Sequence, residues 1–166
     1  MRENLMIFAI AALPVAIGVL VGVSMVKKNK ALMQSGKIVA RQASFWEYAE
    51  YFLAEVSYEA LRRVLLETDL QDCGVSVTPD LNGRAEILFR CRHGWNAAIR
   101  WQGSREGQNA FVFNFTAWRS SRYGAPYGLS EMNMLATRLE QLFLAMDPET
   151  QVQSRRMQTK TKRSFI

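Results

Sequence analysis

From Leu5 to Val26 the chain reads LMIFAIAALPVAIGVLVGVSMV and carries no ionisable side chain. As a helix rising 1.5 Å per residue, such a run is about 33 Å long, enough to cross a bilayer core of roughly 30 Å with some tilt. Few buried helices of soluble proteins need so long an apolar stretch. The run predicts a transmembrane anchor over residues 1–26. Pro14 fits that reading, because a membrane helix tolerates proline where neighbours satisfy the freed carbonyl. Gly18 and Gly22 stand four residues apart, a spacing that lets two helices approach closely, so they form a candidate homodimer seam.

Flanking charge sets the expected orientation. Lys27, Lys28, Lys30, Lys37 and Arg41 follow the run with no acid among them, against Arg2 alone before it. Lysine and arginine stay on the cytoplasmic side. The N-terminus is therefore expected outside and the remainder of the chain in the cytoplasm. The rival reading is a cleaved signal peptide, since Gly22-Val23-Ser24 offers small residues for cleavage. The apolar run is longer than the usual 7–15 residues and its basic lead is thin, which disfavours cleavage.

Charge also separates the ends from the middle. The formal net charge is +6, yet residues 42–150 hold ten arginines, no lysine and fourteen acids. The surplus lies in a linker at 27–43 and a tail at 150–166. A nucleic-acid binder places its basic patch on the folded domain, so that partner class is disfavoured. Lys27, Lys28, Lys30, Arg155, Arg156, Lys160, Lys162 and Arg163 instead suit contact with an anionic lipid surface.

Between linker and tail, residues 44–149 predict one α+β domain. Phe45, Ala49, Phe52, Val56, Ala60 and Val64 recur at helical spacing, and Ser44 with Glu47 resembles a capping box, so a helix is expected over Phe45–Thr68. Four alternating segments follow: Val75–Thr78, Arg84–Cys91, Trp95–Gln102 and Ala110–Arg119. Keeping apolar residues on one face pairs Phe89 with Ala97, Ile87 with Ile99, Trp101 with Phe111 and Ile99 with Phe113. For the first hairpin the same reasoning prefers Val77 opposite Ile87 and Cys73 opposite Cys91. Ser130 then reads as the N-cap of a helix with the stripe Leu135, Leu139, Leu142, Phe143 and Met146, stopped at Asp147-Pro148.

The expected architecture is thus an N-terminal transmembrane helix, a second helix, a four-stranded antiparallel meander, and a C-terminal helix packed on one sheet face. The tail Gln151–Ile166 lacks an apolar period and is expected to be disordered. A sheet closed by a long C-terminal helix resembles lipid-binding helix-grip domains in architecture, which implies no activity.

The motifs for chemistry are sparse. His93 is the single histidine and falls in a tight turn, so no zinc ligand set is expected. No glycine-rich phosphate loop opens a helix, and no Gly-x-Ser-x-Gly elbow occurs. Neither a cofactor nor an enzymatic activity is expected. Cys73 and Cys91 are expected as reduced core thiols in a cytoplasmic domain, or as a disulfide in an exported one. The stretch Trp118–Tyr127 combines the residue types that dominate binding hot spots. Trp118, Arg119, Arg122, Tyr123 and Tyr127 are therefore the candidate contacts for a protein partner. The leading expectation is a membrane-anchored interaction module. The alternative is a small apolar-ligand or lipid-binding domain, with the ligand between sheet and helices.

Overall fold

The structure, a computed structural model, describes residues 24, 27–79, 83–122 and 124–157. The uncharged run, Gly18 and Gly22 included, lies almost wholly outside these residues. By its internal contacts the chain divides after Ala40. In the first unit, residues 27–34 form helix α1, with Lys27, Lys28 and Lys30 exposed.

The second unit is built on a six-stranded antiparallel sheet. Its elements run β1 (Tyr48–Ala54), α2 (Tyr58–Glu67), β2 (Val75–Pro79), β3 (Glu86–Cys91), β4 (Trp95–Arg105), β5 (Gln108–Trp118), α3 (Leu129–Met146) and β6 (Gln151–Arg156). The order across the sheet is β2-β3-β4-β5-β1-β6. The expected fold is corrected by this finding. The sheet has six strands rather than four, and among the described residues no helix is long and apolar enough to cross a membrane.

The two added strands come from segments whose local pattern misleads. Residues expected as the first half of a long helix form β1. The helix proper starts only at Tyr58, where the Ser57 hydroxyl accepts from the Ala60 amide at 3.2 Å. Ser44 has a positive φ and caps nothing with its side chain. Tertiary pairing decides the matter. Without β1 the eleven-residue β5 would present a long unpaired backbone edge. With it, Phe52 lies opposite Phe111 and Glu50 opposite Phe113. Gln151–Arg156, expected to be disordered, adds to the far side of β1 as an edge strand, with Tyr48 opposite Arg156 and Leu53 opposite Gln151. All six of its residues are exposed, so no apolar face marks it. Its backbone hydrogen bonds hold it instead.

The central pairings follow the expected registers. Phe89 faces Ala97, Ile87 faces Ile99, Trp101 faces Phe111 and Ile99 faces Phe113. The β4–β5 connection is tighter than expected. Glu106 and Gly107 form a two-residue turn with φ of 52° and 84°, and a bulge at Gln102 restores the register. The first hairpin is displaced by two residues: Val77 faces Phe89 and Val75 faces Cys91. Each side chain keeps its face, because the shift is even. Strand β2 runs one residue beyond the expected segment, to Pro79, which lies opposite Ile87 and has no amide to donate.

One face of the sheet is the core. Phe52, Phe89, Trp95, Ile87, Ile99, Phe111 and Phe113 are almost fully buried there. Helix α3 covers them through Leu135, Leu139 and Phe143. The Phe143 ring stacks on Phe52 at 4.3 Å between centroids and lies 5.3 Å from Phe111. The N-cap of α3 is Gly128 rather than Ser130, and Asp147 ends it as expected.

Candidate functional site

The loop after β5 is short on secondary structure but well tied by its backbone. The Arg119 amide donates to the Gly94 carbonyl at 3.0 Å, and the Tyr127 amide donates to the Arg119 carbonyl at 3.0 Å. Ser120 bridges to Pro126, and the Ser121 amide donates to the Ala125 carbonyl at 2.7 Å. These bonds pinch the two ends of the loop together over the β3–β4 turn. Of the expected contact residues, Arg119, Arg122 and Tyr127 are exposed, Tyr127 by 55%. Trp118 is half-buried and faces Trp95 across the ladder. Tyr123 lies outside the described residues.

Two glycines let this corner close. A Cβ on Gly94 would sit 2.9 Å from Arg119 Cδ, and one on Gly128 would sit 2.9 Å from Trp95 Nε1 and 3.1 Å from His93 Cβ. The stem of Arg119 therefore lies directly on the β3–β4 turn, and the start of α3 lies on Trp95 and His93. His93 is exposed in that turn. Among the described residues no cluster of three or more histidine, cysteine or acidic side chains is placed to hold a metal ion.

A second constellation lies inside the domain. Arg41, expected in the basic linker, is buried as an ion pair with Glu50 on β1. Its other terminal nitrogen lies 3.0 Å from Glu140 Oε1 on α3, and its Nε donates to Asn133 Oδ1 at 3.0 Å. Thr137 also donates to that amide oxygen, at 3.2 Å. Glu50 Oε2 is buried with no hydrogen-bond partner among the described residues. Desolvation raises the Glu50 carboxyl from 4.5 to about 7, while the Arg41 guanidinium pulls it down and Glu140 adds to the rise. A helix over Phe45–Thr68 would set Glu50 on its polar side, away from Ala49 and Phe52. Strand periodicity puts it on the same face as Phe52, where a carboxylate needs a cation.

The cysteines are both buried free thiols. Cys73 sits in a 3₁₀ turn before β2, so Val75, not Cys73, faces Cys91. Cys91 Sγ lies 4.0 Å from the Cys73 carbonyl oxygen. Burial, with Asp72 beside it, pushes the Cys73 thiol up to about 12, and burial raises Cys91 as well. Neither is a ready nucleophile. A thiol reagent added to the native protein at neutral pH should modify Cys73 far more slowly than after unfolding in urea. Equal rates, followed by mass spectrometry, would contradict this burial.

The basic residues expected at a lipid surface divide. Arg156 is held at 2.9 Å by Glu47, and Arg155 lies over the Tyr51 ring at 5.4 Å, both as part of β6. Lys160, Lys162 and Arg163 lie outside the described residues.

The chain matches no family model, no curated protein and no solved structure.

Proposed function

We propose that this protein is a non-enzymatic interaction module held at a membrane by its uncharged N-terminal run, its folded domain in the cytoplasm, and that it contacts a protein partner through residues 118–127. One observation carries the reading: this loop is pinned by backbone hydrogen bonds yet turns Arg119, Arg122 and Tyr127 to solvent. A preorganised loop loses little freedom when it binds, and arginine and tyrosine are frequent anchors. The membrane part rests on the sequence alone, on Leu5–Val26 and the lysines after it.

The test is crosslinking in intact cells followed by capture of the full chain. An Arg122→Ala, Tyr127→Ala double variant changes only exposed side chains and should lose partners that the wild type retains. Trp118 is a poorer choice, because truncating it removes packing against β4. If the double variant captures every wild-type partner at the same yield, the loop is not the contact surface.

A further inference from the structure

We propose that the partner surface recognised by this loop is an acidic polypeptide segment, whose carboxylates meet Arg92, Arg119 and Arg122. This deepens the interaction reading above and rests on it.

The arginines of the domain differ in their partners. Arg41, Arg62, Arg100, Arg138 and Arg156 each have a carboxylate within ion-pair distance. Arg92, Arg119 and Arg122 have no ion pair and no side-chain hydrogen bond among the described residues. Arg63, Arg84 and Arg90 share that condition, but placement sets the first three apart. Arg92 is in the β3–β4 turn, Arg119 is bonded through its backbone to Gly94 of the same turn, and Arg122 is three residues further along the pinned loop. The Arg119 stem rests on Gly94, and the Arg92 Nε lies 3.6 Å from where a Gly74 Cβ would be. The Arg119 stem is backed by the turn beneath it, while all three residues stay exposed. Exposed guanidinium groups bind carboxylates by donating paired N–H bonds to them. Exposed Tyr127 and half-buried Trp118 flank them and suit a peptide's apolar side chains.

The nearby acids leave these cations available. Asp72 is engaged by Arg138 at 3.7 Å, and Glu131 is half-buried in the first turn of α3. The charge of the whole domain favours a slender partner over an anionic bilayer. Residues 41–157 carry fourteen acids and thirteen arginines, so the folded unit is nearly neutral overall, and a local arginine cluster suits a single acidic strand better than a wide negative surface.

The test uses the full chain in neutral detergent micelles and a fluorescein-labelled decaglutamate peptide, read by anisotropy at low and at physiological ionic strength. The Arg92→Gln, Arg119→Gln, Arg122→Gln triple variant should bind about tenfold more weakly, as three contacts of roughly 0.5 kcal/mol each would give. Its thermal melt should match wild type; Arg122→Glu, at the loop tip, gives an independent loss if the triple variant is poorly folded. A tail variant, Lys160→Gln, Lys162→Gln, Arg163→Gln, should keep most of the affinity. Equal peptide binding by the site triple and wild type would overturn the proposal. So would abolition of binding by the tail variant, or tighter arginine-dependent binding to phosphatidylglycerol vesicles than to the peptide. If the Arg122→Ala, Tyr127→Ala variant loses its cellular crosslinks while decaglutamate binding ignores the site triple, the loop reading stands and the acidic partner falls.

Discussion

Replacing Arg41 with methionine should lower the stability of the folded domain by about 3–5 kcal/mol above neutral pH, because it leaves the Glu50 carboxylate buried without its cation. Urea midpoints measured across pH read the effect. The loss should shrink toward acid, where Glu50 takes up a proton and no longer needs compensation. The sign in the wild type follows from the same shift. Glu50 sits higher in the folded state, about 7, than its ordinary 4.5, so the folded state binds more protons between those values. Its contribution to stability is complete below 4.5 and is lost as the pH rises through about 7. Glu50→Gln should flatten that slope. A methionine variant within about 0.5 kcal/mol of wild type at alkaline pH would show that the pair is not the buried contact described.

The second large effect concerns the space between sheet and helix. Phe143→Ala should cost about 3–5 kcal/mol, since the ring is wholly buried and stacks on Phe52 while touching Phe111. The same variant tests the apolar-ligand alternative. If this space is packed protein, the wild type should gain no thermal stability from benzene, and the variant should gain some by filling its new cavity. A wild-type shift as large as that of the variant would favour a natural pocket over a packed core.

How much of this was legible in the sequence depended on whether the signal was local. Between Glu86 and Trp118 it was. Strict alternation and short turns set the registers of three strands, and the same register brings Glu86 opposite Arg100, at 2.6 Å. At β1 the signal was ambiguous. Ala49, Phe52 and Val56 satisfy a helical period, while Glu50, Phe52 and Ala54 satisfy a strand period that reads as broken by its charge. Only the need of β5 for a neighbour resolves it. Strand β6 has no periodic signal because neither of its faces is buried. For the same reason Arg41 looked like one more basic linker residue. Its partners on β1 and α3 lie 9 and 99 residues away in sequence and come together only through the β1–β5 pairing. The residue types at 118–127 were legible by composition, but the tethering of Arg119, Ser121 and Tyr127 was not, because it comes from backbone bonds to Gly94 and within the loop.

The pairing of β1 also sets a timetable for folding on the ribosome. Its inner neighbour starts at Gln108 and its outer one at Gln151. At roughly 5–20 residues per second, the nascent Tyr48–Ala54 segment waits several seconds for β5, and longer for β6. Closure of the sheet thus depends on contacts distant along the chain, which form more slowly than local hairpins.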